Sequence, residues 1–554
     1  MADHEPVSEP RITVSREKTM TKRRTEVRLF FMGQNMKKIT LPPQNFVDKA
    51  ISWISPQAGL KRWQARTQMA IMGGYTGASK KRRQTQTWNP AMGSGDNVSL
   101  DDLPVLRDRS RDLLRNAPLA VGAVSTVVTN VVGTGLKPQA HIDRTILKQY
   151  LKTDEAMEAW ENKAERIFQV WAESRDCDIT RGQTFAEMQA LVLRSCLESG
   201  DVFVLRKYKE RVGNAFGTSV QIIEADRVAD PTNCNDNVIA GVEIDTDGAP
   251  VAYHVANRHP DDHDKGTLSY ARVPAFDNSG IRQMLHIFTR NRPGMTRGIP
   301  YLAPVIESLK QLDRYTEAEI MAAVISSMFT IFVKTESDEG LKPMVPMGAE
   351  DTAPARNSDY KLSPGAILDL QPNEAIEIAD PKRPNQAFDG FVQSILRQIG
   401  VALELPFEIL IKHFTASYSA AQAALVEAWK TFSSRRKWMA SQFCQPIYEM
   451  VITEAIARGY LEAPGFFSDP FVRAAYLGAE WIGPPRGQID QLKEIRAAAY
   501  RVNLGVSTLE EETAQITGGS WETKHIQRAK EHQLRTEAGL IETTTIGNTQ
   551  NEED

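Results

Sequence analysis

The chain predicts a helix-rich α+β fold, and three observations lead there. Apolar or small residues recur at steps of three and four over long stretches, above all at Leu302, Val305, Leu309, Leu312, Tyr315, Ala318, Ala322, Ile325, Phe329 and Phe332. A central block is rich instead in Val, Ile and aromatics, with Thr246-Asp247-Gly248 as a hairpin turn between two of its strands. At 554 residues, with 41% hydrophobic and 25% charged side chains, the chain exceeds one hydrophobic core and divides into several folded units.

Residues 1–98 read as a peripheral arm, polar and basic, with the run Lys80-Lys81-Arg82-Arg83 and little periodicity. A helix follows through Leu106 to Asn116, then Pro118 opens a second that runs to Val132 and ends at Gly133 and Gly135. Residues 155–173 form an amphipathic helix through Trp160, Ile167, Val170 and Trp171, and Phe185 to Glu198 another. Strands are expected at Asp201–Tyr208, Ser219–Glu224, Val238–Asp245, Ala249–Val255 and Gln283–Thr289.

The turn Arg292-Pro293-Gly294-Met295-Thr296-Arg297-Gly298-Ile299-Pro300 then feeds a helix read as unbroken to Val333. At about 1.5 Å per residue it would span about 50 Å, far beyond an average helix. Residues 335–384 lose helical periodicity, with strand-like pieces at Ala366–Leu370 and Ala375–Ile378. A second helix runs from Asn385 to near Pro406, a polar loop spans Ile411 to Ser419, and a very long helix covers Ala420 to Gly459. Trp481 to Lys530 reads as helical, with Ser507-Thr508-Leu509-Glu510 as a capping box. Beyond Gly539 the tail is polar and expected to be disordered.

These blocks, in this order, resemble the lambda-like tailed-phage portal proteins. The resemblance is carried by RPGMTRGIP with its long helix, by LRDRSRDLLRNAPLAVGAVSTVVTNVVGTGLKPQ, by VEIDTDGAPVAYHV and RVPAFDNSGIRQMLHIF, by SYSAAQAALVEAWKTFSSRRKWM, and by WIGPPRGQIDQLKEIRAAAYRVNLGVSTLEEETAQITGGSWETKHIQRAK. It covers about residues 85–535, and departs at Met295, where the family commonly has Gln. The resemblance implies a portal fold assembled as a cyclic ring of about twelve copies. Its parts would be a wing (99–299), a stem helix (300–334), a clip (335–384), a return stem helix (385–410), a tunnel loop (411–419), a long wing helix (420–464) and a helical crown (465–538). Implied with it are double-stranded DNA passing through the channel, docking of the terminase large subunit and then of head-tail connector or neck proteins, and contact with capsid and scaffold proteins. The implied location is the portal vertex of the virion, with assembly in the host cytoplasm.

The chemistry of the sequence narrows function further. A formal net charge of −4 is not that of a protein that clamps nucleic-acid phosphates, although it suits a conduit in which DNA slides. No GxxxxGK[ST] pattern supplies a phosphate cradle, and no GxSxG elbow or cysteine-nucleophile context supplies a catalytic site. Neither catalytic residues nor a cofactor nor a metal is therefore expected; Asp261-Asp262-His263-Asp264 crowds ligand types together but lacks the spacing of a divalent-metal loop. Cys177, Cys196, Cys234 and Cys444 are far apart and read as free thiols. The N-terminus lacks the apolar stretch of a signal peptide, and Ala117–Val132 and Ala322–Val333 fall short of the roughly 20 apolar residues that span a bilayer, so no membrane partner is expected.

Four residues are candidates for the DNA channel. Lys412 and His413 lie in the loop that the resemblance places against DNA. Lys310 and Arg314 lie on the polar side of the long helix, where they either face the duct or pair at i, i+3 with Glu307 and Glu317. Leu302, Leu309, Leu312, Ile325 and Phe329 are the expected packing positions of the stem, and Gly294, Arg297, Gly298 and Pro300 its hinge turn. The rival reading is an intracellular scaffold or adaptor built on long helices without a pore.

Overall fold

The computed structural model describes residues 93–554 except 233, 263–266, 279, 328–330, 336–373, 379–387, 415–416, 488–489 and 541–554, together with scattered residues of the first 92. Met1–Met92 and Gly93–Asp554 are separate compact units, so residues 93–98 belong with the folded body and not with the arm expected to run to residue 98. Gly95 there is buried, and Ser94 caps the short helix α1 (Gly95–Ser99) by accepting from the Asn97 N–H.

Helices α2 (Leu103–Asn116) and α3 (Pro118–Val131) are separated by Ala117 in an extended conformation. Pro118 at the first position of α3 needs no N–H partner, and its fixed φ already suits a helix. The helix ends where Gly133 turns left-handed at φ +56°. Strand β1 (Lys137–Ala140) and helix α4 (Arg144–Leu151) lead into α5 (Asp154–Glu173), capped by Thr153 and carrying Asp154 and Glu155 against the positive end of its dipole. Trp160, Phe168 and Trp171 are buried on α5, but Val170 is 62% exposed: adjacent to Trp171 in sequence, it points about 100° away and misses the core face expected of it. Helix α6 (Phe185–Ser199) starts with a full capping box between Thr184 and Glu187 and stops at Gly200, φ +93°.

Two antiparallel sheets follow. Strands β2 (Asp201–Tyr208), β3 (Thr218–Ile223) and β8 (Met284–Phe288) form one in the order β3-β2-β8. The other is a meander of β4 (Val238–Ile239), β5 (Val242–Ile244), β6 (Pro250–Ala256) and β7 (Tyr270–Pro274). The expected hairpin joins β5 to β6, with the Asp245 side chain accepting from the Asp247 and Ala249 N–H groups. A small core of Phe203, Leu205, Ile223, Val242, Tyr253 and Met284 lies between these sheets.

The helix read as unbroken to Val333 is shorter. A 3-10 turn at Ala303–Val305 leads into α7 (Ile306–Ser327), and Ile331–Thr335 is strand β9, paired antiparallel with β10 (Glu374–Ile378) so that Val333 faces Ile376. Phe332 continues the helical spacing, yet β-branched and aromatic residues such as Ile331, Phe332 and Val333 gain more in a pleated pair than in a helix. Helix α8 (Phe388–Ala402) returns antiparallel to α7: Tyr315 stacks on Phe388 and meets Phe391 edge-on, while Tyr301 donates its hydroxyl to the Leu403 carbonyl. The expected strand at Ala366–Leu370 lies outside the described residues.

After α9 (Phe407–Ile411) comes α10 (Tyr418–Met439), which continues through a π turn at Ala440–Cys444 into α11 (Gln445–Ala457). The wide turn falls immediately ahead of Pro446, which has no N–H to give to the helix ladder. These helices, with α3, α5 and α6, enclose the main core, in which Phe168, Phe185, Phe443 and Tyr448 are buried against one another.

Helix α12 (Pro470–Tyr476) precedes strand β11 (Ala479–Ile482), which pairs with β1 across most of the chain's length, so Trp481 is in a strand and not in the helix expected to begin there. Helices α13 (Gln491–Asn503), α14 (Leu509–Thr517) and α15 (Trp521–Glu537) close the described chain; α14 is capped by Thr508 bonding the Glu511 N–H, one residue later than the expected box. All four cysteines are unpaired. Among the described residues no helix is long and apolar enough to cross a membrane.

Candidate functional site

The turn that launches α7 is held by a buried network of charges. Arg297 is 2% exposed, and its guanidinium donates to Asp201 from Nε at 2.5 Å and from a terminal nitrogen at 3.3 Å. The rest of its fork reaches the carbonyls of Val228 at 2.8 Å, Ala240 at 2.6 Å and Ala225 at 2.7 Å, and it lies 4.9 Å over the Phe203 ring. One side chain thus ties the turn to β2 and to three loop carbonyls, a task that suits a planar fork of donors.

Asp201, the first residue of β2, has no exposed side-chain surface. It also accepts from Arg107 of α2 at 2.7 Å, from His286 of β8 at 3.2 Å and from the Gly298 N–H at 3.4 Å. Burial by itself would raise its pKa, but the Arg297 and Arg107 guanidiniums and the His286 hydrogen bond outweigh that and hold the carboxyl well below the usual range. His286 is pressed between Phe203 and Phe288, with ring centroids 4.2 and 4.3 Å away, and its burial lowers its own pKa despite Asp201. Arg107 continues to Asp226 at 3.2 Å, and Arg111 bonds both Asp226 and, at 3.2 Å, Glu224.

Glu224, Asp226 and His259 bring metal-ligand types within 4.8 Å of one another. The Arg111 guanidinium already bridges the two carboxylates, so the cluster is balanced as an ion-pair network. Of the acidic stretch weighed for metal in the sequence, Asp261 is 92% exposed in its side chain, and His263 and Asp264 lie outside the described residues.

Each predicted hinge residue has a distinct place. Gly298 passes the backbone of Gly200 so closely that a Cβ on it would lie 2.1 Å from the Gly200 carbonyl oxygen. Gly294 has φ +77°, open to glycine without strain, and Pro300 is buried. Met295, the departure from the family pattern, is 3% exposed and packs on Gly95, where an added Cβ would come 2.6 Å from its Cγ. Thr296 gives both its N–H and its hydroxyl to Asp96 of α1, at 2.7 and 2.6 Å.

Leu302, Leu309 and Leu312 are buried in the chain's own main core. Farther along α7 the cover is lost: Ile320, Met321 and Val324 are 58%, 54% and 43% exposed. The side chain of Ile325 and the whole of Phe329 lie outside the described residues. Lys310 and Arg314 are exposed, and neither makes the i, i+3 ion pair weighed for it; Glu307 instead accepts from Gln311 at 3.0 Å. Lys412 and His413 are exposed at the end of α9, with both N–H groups directed to the Glu408 carbonyl and Lys412 left-handed at φ 55°.

The structure does not gather these cations around one point of the chain, and the residues it does bring together were mostly not singled out by sequence. Arg107, Arg111, Asp201 and Asp226 were missed, whereas His286, read in the sequence as a packed or surface histidine of a strand, is packed in β8. Two signals were available: a charge opening the apolar strand Asp201-Val202-Phe203-Val204-Leu205, and two arginines at i, i+4 on α2.

The chain was compared with known families, proteins and solved structures. The family model described as phage portal protein, lambda family, matches residues 81–436. Portal protein B of Escherichia phage lambda is 26% identical over 492 residues, covering 84% of this chain and 91% of the relative. The portal protein of Escherichia phage N15 is 27% identical with 84% and 90% covered, and a probable portal protein of Halomonas phage phiHAP-1 is 24% identical with 74% and 78% covered. Among solved structures, a chain from the neck of a native GTA particle with C12 symmetry has a TM-score of 0.39 and 14% identity, with 75% of this chain and 98% of that chain covered.

Proposed function

Because the chain belongs to the lambda family of phage portal proteins, we propose that it acts without catalysis, as a ring of about twelve copies that forms the DNA conduit at one capsid vertex. In this reading genomic DNA enters and leaves through the ring. The terminase large subunit docks on it during packaging, and head-tail connector proteins dock afterwards, with capsid and scaffold proteins around it. The ring assembles in the host cytoplasm and remains in the virion.

The observation that carries this reading is the antiparallel pair α7 and α8. Its root is buried in the chain's own core at Leu302, Leu309 and Leu312, while farther out Ile320 and Met321 are more than half exposed. Apolar side chains exposed on a helix face are covered when the next copy in a closed ring packs on them. On this assignment α7 and α8 are the stem, the β9-β10 pair roots the clip, the sheets and helices α2 to α6 form the wing with α10 and α11, and α13 to α15 form the crown. Lys412, with His413 beside it as a further hydrogen-bonding group, places positive charge at one height when repeated around the ring, an attraction for phosphates that ignores base sequence and weakens with salt. Lys310 and Arg314, exposed and without an ion pair among the described residues, add cations along α7.

Negative-stain electron microscopy of the purified protein without detergent tests the ring. Class averages of about twelvefold symmetry with a central hole are expected, and a monomer at every concentration would overturn the reading. With rings in hand, Lys412→Ala combined with His413→Ala is expected to leave assembly intact and impair DNA packaging or retention. Full genome content in such particles would remove that role from the loop.

A further inference from the structure

Two consecutive arginines near the end of α10 hold different parts of the molecule. The Arg435 guanidinium lies 4.5 Å over the ring of Tyr301 and reaches Glu404 at 3.5 Å. Tyr301 in turn bonds the Leu403 carbonyl, so Arg435 covers the joint where the chain enters α7 and leaves α8. Arg436 turns elsewhere. It donates to the carbonyls of Val131 at 3.3 Å, Asn130 at 3.1 Å and Pro484 at 2.8 Å, and lies 4.9 Å over Trp429. Asn130 and Val131 are at the C-terminal end of α3, whose last carbonyls have no partner within the helix and attract a cation. Pro484 belongs to the segment that leads from β11 to α13. Gly483 lets that segment pass, since a Cβ there would come 2.6 Å from the Arg436 Nε.

These two grips are of different kinds. Glu404 is 63% exposed, so its ion pair with Arg435 adds little and the stack on Tyr301 is the main contact. Arg436 makes no ion pair among the described residues; burial lowers its pKa to about 10, which still leaves it charged at neutral pH. Neighbouring residues on a helix point about 100° apart. A rotation of α10 that relaxes one grip therefore strains the other.

We infer that Arg435 and Arg436 are positioning residues that fix the height and rotation of α10 against the α7–α8 root, the end of α3 and the link to α13. Helix α10 begins at Tyr418, directly after the loop that carries Lys412 and His413, and Arg435 lies about 26 Å along it at 1.5 Å per residue. The two arginines therefore set where that loop stands. The functional weight of its position rests on the conduit reading; the positioning itself rests on the contacts.

Hydrogen exchange followed by mass spectrometry on the full chain tests this. Arg435→Ala is expected to speed exchange about tenfold at residues 300–305 and 402–405 and leave 128–133 and 483–486 unchanged. Arg436→Ala is expected to do the reverse. Both should speed exchange at the Lys412 and His413 amides, which the Glu408 carbonyl protects. The same response from both variants at all segments, or unaltered Lys412 and His413 amides, would overturn the inference. Should either alanine variant fail to fold, Arg435→Lys and Arg436→Lys are read in the same way; a point charge cannot replace a fork across three carbonyls, so Arg436→Lys is expected to loosen 128–133 and 483–486. Exchange is read whether or not rings form, so a chain that forms no ring would remove the conduit reading without touching this one.

Discussion

Asp201 concentrates more consequence than any other side chain described. Asp201→Asn would leave Arg107 and Arg297 buried without their shared anion, a loss expected to cost about 3–5 kcal/mol in denaturant unfolding. Its pH dependence has a definite sign. A carboxyl held below its unfolded value near 3.9 contributes stability that is complete above that pH and disappears as pH falls through the folded value. The part of the gap between wild type and Asp201→Asn that comes from the two arginines should thus be complete above about pH 5 and narrow only below about 4. His286 works in a different window. Its pKa is lowered by burial, so the neutral ring is favoured and stability is lost as pH falls below about 6.5. His286→Phe should flatten the stability profile between about pH 7 and 5 while leaving the acid limb below pH 4 in place, and a profile unchanged in that upper window would contradict this account.

At the scale of elements, Gly298→Ala should be among the most damaging small substitutions, because the methyl meets the Gly200 backbone and not a flexible side chain. A loss of about 3 kcal/mol, read from the urea midpoint, is expected; a neutral result would mean the two strands of backbone can part easily. Much of the element order was legible in the sequence. Pro118, Gly133, Thr184 and Gly200 are local signals that act within a turn of where they sit, and the helices they bound are found where expected. What was not legible depends on partners far along the chain. Strands β1 and β11 are four residues each and exist because they pair with one another across more than three hundred residues. Ile331–Thr335 has the spacing of a helix and becomes a strand because Glu374–Ile378 supplies a partner. The turn at Arg297 was visible as a motif, but its anchors come from α2, β2 and β8, and no local pattern joins Arg107 to His286.

For the whole molecule, the proposed ring predicts a separation between folding and assembly. Ile320 and Met321 are exposed in the single chain, so Ile320→Gln with Met321→Gln should shift unfolding of the chain by no more than about 0.5 kcal/mol. If the next copy packs on that face, the same variant should lose rings in electron micrographs; intact rings would move the contact elsewhere on the surface. The left-handed backbone at Lys412 offers a comparable separation for the loop. A lysine, like an alanine, is strained at φ 55°, whereas glycine is at ease there, so Lys412→Gly should relieve about 1 kcal/mol as it removes the cation. Few substitutions take away a proposed DNA contact and make the protein more heat-resistant in the same stroke. A particle that leaks its genome while its ring melts at a higher temperature would have lost the cation without losing the fold.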